Sequence, residues 1–393
     1  MNDFDPFDAD TLADPAPGWR VLLDEHPVHY YANFDPPFYC LSRYQDVEAA
    51  LRDIETFSSE HGQGPRVTPP QGMLSNPPQH TFFRGLVQQA FTPRVIAALS
   101  DRIIAISHEL ADAIEAGDPE FDLHDDYAAP LPVIVISELL GVPADHRRQF
   151  KAWSDAQVAA MGAPDPTAYA APMAELAAYL MDHIATRRRL LGSEQSGDAD
   201  VPDDLTTALL RARTESGQQL SDDDVLSVAS QLLVGGNETT TSLITNLMWR
   251  VLQVPARWQR LVEEPDLIER AIEESLRYDP PVLGLYRTTT RDVRLHGTTI
   301  PEGAKVYLIY AAANRDQRTF ANPDEFQLDR PRGRHLAFGL GVHFCLGAQL
   351  ARLEARVAVR TLCERLSSLT LVDDGQRIAP FFLWGRSRLP VRR

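Results

Sequence analysis

The alternation of apolar and polar positions changes character several times along the chain. Val28 to Tyr31 (VHYY) and Phe38 to Leu41 (FYCL) are short β-prone runs separated by the turn formers Asn33, Asp35, Pro36 and Pro37, which predicts a hairpin. From His61 to Pro78 glycine and proline replace any periodicity and predict a long loop, of a length that is usually functional or mobile. Gln79 to Leu191 reads as a succession of helices with breaks at Pro93, Gly117 to Pro119, Pro130 to Pro132, Pro143 and Pro164 to Pro166. The polar, acidic stretch Gly192 to Asp204 reads as a solvated connector. Ser221 followed by Asp222, Asp223 and Asp224 forms an N-cap with acids in the first turn, and apolar positions then run to Val254 before Pro255. The predicted helix has roughly 33 residues and is about 50 Å long.

Helices are expected over Ala256 to Glu263 and Asp266 to Tyr278, the second stopped by Pro280 and Pro281. Tyr286 to Tyr310 then turns β-like, with turns at His296-Gly297 and Glu302-Gly303. An irregular segment from Asn314 to His335 leads to a Gly-rich loop, a helix from about Leu346 to Leu366 and a short β-like tail. No internal repeat or low-complexity tract interrupts this order. The fold class is therefore mostly α with small β-sheets.

Composition narrows the function. The 393 residues carry a formal charge of -17, which argues against nucleic acid as a partner, since neutralising phosphates needs basic character. No run approaches 18 apolar residues, and the start MNDFDPFDAD is acidic, so neither a membrane anchor nor a signal peptide is expected and the reading is cytoplasmic. Cys40, Cys345 and Cys363 are too few and too scattered for a disulfide framework. Cys40 and Cys363 read as small buried hydrophobes.

Cys345 stands apart because it lies in Phe338-Gly339-Leu340-Gly341-Val342-His343-Phe344-Cys345-Leu346-Gly347. Glycines let the backbone approach a flat ring, and the start of a helix stabilises a thiolate. A second feature is Gly235-Gly236-Asn237-Glu238-Thr239-Thr240 inside the long helix. Two adjacent glycines there cost about 1 kcal/mol each relative to alanine, so a widened or kinked turn is expected. Glu274-Ser275-Leu276-Arg277 places an acid and a base three apart on one helix face. His80 and Arg84 fall four apart on another.

The Cys345 loop resembles the haem-binding loop of the cytochrome P450 family, and the other features resemble that family's motifs in the same order over nearly the whole chain. The resemblance implies a single domain over 1–393, with a β-rich part about 28–60 and 286–310 and a helical remainder. A long central helix would cross over the haem, and the Cys loop would lie beneath it. Haem b is the implied cofactor, with Cys345 on the iron and His80, Arg84, Arg287 and His343 on its propionates. Glu238 and Thr239 would relay the protons that O–O cleavage consumes. Glu274 and Arg277 would be buried and joined by Arg330; the alternative position for that third partner holds Glu325. Residues Trp153 to Leu191, where the family keeps substrate-roof helices, carry no pattern that maps to a ligand.

The resemblance implies O2-dependent oxidation of a lipophilic small molecule. The chain has no flavin, nucleotide or iron–sulfur signature, so electrons are expected from a ferredoxin and its reductase. Candidate pocket walls are Met73 and Leu74, the helix face at Leu232, Leu233 and Gly235, the segment from Val282 to Leu285, and Phe381 and Phe382. Arg352, Arg356 and Arg360 recur every four residues after Cys345 and, with Arg84 and Arg94, suggest a basic patch for the ferredoxin, Arg352 foremost. Two other classes stay open: a haem-thiolate sensor or binding protein, and a peroxide-driven peroxygenase.

Overall fold

The hairpin Val28–Tyr31/Phe38–Leu41 forms with Val28 opposite Leu41 and Tyr31 opposite Phe38. In this computed structural model Phe38–Leu41 pairs again, in parallel, with Lys305–Leu308, some 267 residues on at Leu41↔Leu308. Leu285–Thr289 and Phe57–Ser58 complete a five-stranded sheet. One face carries Leu41, Val306 and Leu308, which pack with Tyr44, Val47 and Leu51 of the helix Tyr44–Arg52 and with Phe320 and Leu336. Burying each large apolar side chain there contributes about 1.5–3 kcal/mol.

The structure describes residues 4–69, 72–91, 93–163, 165–192 and 201–393, without the side chains of 90, 93, 94 and 162. Most of the acidic connector, 193–200, and the side chain of Arg94 therefore lie outside the described residues. The chain forms two compact units. The first is Met1–Asn76, Asn246–Cys345 and Gly375–Ser387; the second is Pro77–Thr245, Leu346–Asp374 and Arg388–Arg393.

In the second unit Ser100–Ala116 packs along Ala348–Arg365. Their seam holds a buried polar chain, in which Ser107 Oγ donates to Thr361 Oγ1 at 2.8 Å and lies 2.6 Å from the Tyr127 hydroxyl. Tyr127 belongs to a π-helical turn, His124–Ala128, that leads into Pro130–Leu140. Pro390–Arg392 is the middle strand of a small sheet, between Glu120–Asp122 and Thr370–Leu371.

The long helix runs Asp222–Leu252, 31 residues. Ser221 Oγ accepts from Asp224 N at 3.1 Å while the Asp224 carboxylate accepts from Ser221 N at 2.9 Å, a reciprocal cap. The glycine pair predicts a widened or kinked turn; the chain stays α-helical through it, with no π turn at Gly235 and Gly236. The Thr239 hydroxyl donates to the Gly235 carbonyl at 2.5 Å, satisfying the backbone locally. Among the described residues no helix is long and apolar enough to cross a membrane.

Candidate active site

In the first unit the Cys345 loop is shaped by two left-handed glycines, Gly339 at φ +65° and Gly341 at φ +71°. A Cβ on Gly341 would lie 2.9 Å from the Leu51 carbonyl oxygen, so a side chain is excluded on two counts. Cys345 N donates to Phe338 O at 2.9 Å, which closes the loop. The Cys345 thiol is half-buried, and the neighbouring Val342 and Phe344 are each 39% exposed, an apolar surface around a sulfur. Cys40 and Cys363 are buried, and desolvation pushes both thiols well above their usual range.

Arg287 is buried on Leu285–Thr289, and its Nη1 donates to Tyr286 O at 2.8 Å. On the adjacent strand sits Lys305, a buried cation that sequence reasoning missed. Its Nζ donates to His61 O at 2.6 Å and Gly62 O at 3.1 Å, pinning the start of the Gly/Pro-rich loop. Burial, with the nearby Arg287 charge, pushes its amine down to about 8. The signal was present only as a lysine inside a β-branched run.

Glu274 and Arg277 are almost wholly buried and meet in a bidentate pair, with Arg277 Nε to Glu274 Oε2 at 2.7 Å and Nη2 to Oε1 at 2.8 Å. Arg330 Nε reaches the same Glu274 Oε2 at 2.9 Å. Arg277 and Arg330 both also donate to the Glu325 backbone carbonyl, at 3.1 and 2.9 Å. Glu325 thus takes part through its main chain.

Two of the expected pocket walls meet in this unit. Leu283 N donates to Phe382 O at 2.8 Å, and Val282 bridges Leu383. Arg377 organises that turn, donating to the carbonyls of Ile378, Pro380 and Leu383 at 3.0, 3.2 and 2.9 Å. Phe381 packs on Phe7 with ring centroids 4.6 Å apart, while Leu285 leans on the sheet core. Met73 and Leu74 form a short 3₁₀ turn with Gly72.

The second unit carries the acid and the alcohol. Ser242 Oγ donates to Glu238 Oε1 at 3.4 Å, and Asn237 Nδ2 donates to Ser154 Oγ at 3.0 Å, tying the helix to Arg147–Gly162. Burial raises the Glu238 carboxyl above its usual pKa, and His124 acts against that rise. Leu232 is partly exposed; Leu233 is fully buried and belongs to the core. A Cβ on Gly235 would meet nothing within 4 Å, so that helix face is open. His80 is buried on Gln79–Ala90, its imidazole pushed down by burial and then by Arg84. A cleft of about 770 Å³ lined by Thr81, Phe82, Gly85 and Arg213 lies on another face of that helix and contains none of the expected wall residues.

Arg352 is half-buried along its own helix, with Nη1 3.5 Å from Ala348 O; Arg356 and Arg360 are exposed, and Arg360 pairs with Glu364 at 3.0 Å. Glu354, on the same helix, is buried, and its Oε2 has no hydrogen-bond partner among the described residues.

The family model for cytochrome P450 matches residues 35–382. The chain is 38% identical to the cytochrome P450 monooxygenase PikC of Streptomyces venezuelae, over 98% of this chain and 92% of PikC. It is also 38% identical to the vitamin D(3) 25-hydroxylase of Pseudonocardia autotrophica, over 98% and 96%. Cytochrome P450 CYP109Q5 from Chondromyces apiculatus superposes with a TM-score of 0.88 at 35% identity, over 99% of this chain and 98% of that one. The chain belongs to the cytochrome P450 family. It is a haem-thiolate monooxygenase with the P450 fold, and its cofactor is haem b; like the bacterial P450s it resembles, it takes electrons from a redox partner.

The residues present fit that cofactor. A half-buried thiol flanked by exposed apolar side chains suits a macrocycle with a soft metal. A Cβ on Gly347 would meet nothing within 4 Å and one on Gly339 only the His343 carbonyl at 3.9 Å, leaving room for a flat ring.

Proposed function

We propose that this monooxygenase oxidises a lipophilic small molecule with O2, using electrons from a ferredoxin and its reductase, and that the whole chain acts as one cytoplasmic domain. The family match from 35 to 382 runs through both units, which supports the single domain. The relative named as a vitamin D(3) 25-hydroxylase supports a lipophilic substrate, as do the apolar side chains Val282, Leu285, Phe381 and Phe382.

When bound, the haem supplies O2 activation, and a thiolate ligand favours O–O cleavage. Cys345 holds the iron. His80, Arg84, Arg287 and His343 hold the propionates, which otherwise would be buried anions without partners. Thr239 orients a donor hydroxyl at the open face of the long helix, and Glu238 keeps a proton on its carboxyl and delivers it there. The pocket walls exclude water and hold the substrate. Glu274, Arg277 and Arg330 fix the segment that precedes the Cys loop.

The observation that carries this reading is the half-buried acid Glu238, its carboxyl raised by desolvation, directly followed by an alcohol on the long helix, since neither a sensor nor a peroxide-driven enzyme has to supply protons for O2 cleavage. The test is NADH consumption and product formation with a surrogate ferredoxin and reductase, against hydrogen peroxide alone. Product with the redox chain and little with peroxide is expected; product with peroxide only would overturn the proposal.

A further inference from the structure

We propose that His124 feeds protons from solvent to Glu238, as a positioning residue of the proton path; this rests on the acid role given to Glu238 above. His124 opens the one-turn π-helix, in which Ala129 N donates to His124 O at 2.9 Å, five residues back. Such turns are rare and concentrate at functional sites. The imidazole is buried, yet its Nδ1 lies 2.7 Å from Asp125 Oδ1, and the Asp125 side chain is 70% exposed. One nitrogen of a buried ring is thus joined to a carboxylate that meets water.

The far end of the same turn touches the long helix, where Thr241 Oγ1 donates to Ala128 O at 3.3 Å. Ala128 follows His124 by about one π turn, and Glu238 precedes Thr241 by about one α turn, so the two side chains project from facing surfaces. Among the charged groups around Glu238, His124 exerts the strongest pull on its carboxyl. The others are Lys151 and Asp155 on Arg147–Gly162, and they are already paired with each other at 2.7 Å. The neutral group beside it is the Ser242 hydroxyl.

A lysine locked to a carboxylate has no ready proton to pass, whereas an imidazole can accept at one nitrogen while it gives up a proton from the other. After Glu238 has given up its proton, hydronium from the solvent at Asp125 passes a proton to Nδ1, an O–H bond breaking to leave water as the Nδ1–H bond forms. The N–H bond at Nε2 breaks, and that proton protonates the Glu238 carboxylate. The ring ends neutral in the other tautomer and returns by exchange with solvent.

The test uses the holoenzyme with a surrogate ferredoxin and reductase, comparing His124→Gln, His124→Phe, Lys151→Met and Glu238→Gln. The measurements are product per NADH, hydrogen peroxide released, and the infrared titration of the Glu238 carboxyl, assigned by its disappearance in Glu238→Gln. His124→Phe and His124→Gln are each expected to lower product per NADH by roughly tenfold, less than the ~10²–10⁴-fold of a direct general acid or base because His124 acts through Glu238, with peroxide rising to match. In a fifth variant, His124→Gly, free imidazole should restore part of the coupling. The Glu238 band should titrate at higher pH in His124→Phe, and Lys151→Met should leave coupling near wild type. Unchanged coupling and an unchanged Glu238 titration in both His124 variants would overturn the inference while Glu238→Gln remains impaired. Loss of coupling in Lys151→Met alone would also overturn it, placing the route on the other helix. Normal coupling in Glu238→Gln would instead remove the acid role itself.

Discussion

Arg330 Nε donates to Glu274 Oε2 at 2.9 Å, so a residue of the irregular segment closes on a carboxylate 56 positions earlier that Arg277 already grips. The Glu274 side chain is 1% exposed, and its removal would leave two guanidinium groups uncompensated. We expect Glu274→Ala to cost about 3–5 kcal/mol, the range for breaking a buried pair. Arg330→Ala, with Arg277 still in place, should cost less. Denaturant midpoints with haem retention followed by the visible spectrum check both; a Glu274→Ala protein as stable as wild type would contradict the network's role.

The three cysteines should separate by reactivity. Burial keeps Cys40 and Cys363 as thiols, and reactivity follows thiolate and access, so a thiol-specific reagent should label neither in the folded protein. Cys345 should be labelled in haem-free protein and protected when haem is bound. Cys345→Ala should abolish the carbon monoxide difference band of a thiolate-ligated haem, and Cys363→Ser should leave it intact.

Coupling should depend on pH through Glu238. Its carboxyl is raised by burial, so the proton is retained above the usual glutamate range and lost as pH climbs through the raised value. Product per NADH should therefore hold on the acid side and fall at higher pH, and this limb should vanish in Glu238→Gln. Thr239→Ala should keep substrate binding and NADH consumption while diverting electrons to hydrogen peroxide.

Glu354 gives a stability effect of known sign. Burial raises its carboxyl to about 8 from the usual 4.5, so between those values the folded state binds the extra proton. Stability should fall as pH rises through that window, by up to about 1.4 kcal/mol per pH unit from this group alone. Glu354→Gln should flatten that slope and raise the urea midpoint at pH 8 relative to wild type. An unaltered slope would mean that the carboxyl finds a partner in solution.

Arg352→Glu should weaken ferredoxin-dependent turnover and flatten its salt dependence, with substrate affinity and the carbon monoxide spectrum unchanged. Turnover equal to wild type at sub-saturating ferredoxin would move the docking surface elsewhere.

The elements with strong local chemistry were legible in the sequence. Turn formers set the first hairpin, Ser221 and the three aspartates set the start of the long helix, and the family resemblance pointed to Arg330. Features decided by packing were not. The Thr239 hydroxyl takes up the Gly235 carbonyl within the long helix, a contact that no propensity encodes. Glu354 sits in a run, ARLEAR, that reads as a charged surface, yet tertiary contact buries it. His124 and Lys305 gain meaning only from what faces them across other elements.

The parallel pairing of Phe38–Leu41 with Lys305–Leu308 has a consequence for how the protein is made. At roughly 5–20 residues per second, the ribosome needs about a quarter of a minute to a minute to extend the chain from one strand to the other. Through that interval Phe38, Cys40 and Leu41, fully covered in the finished molecule, have no native neighbour on that edge. The nascent hairpin is then an open sticky edge of the kind that invites association with other chains. Soluble yield should accordingly improve with excess chaperone that covers the open edge during synthesis, and the gain should trace to this edge strand.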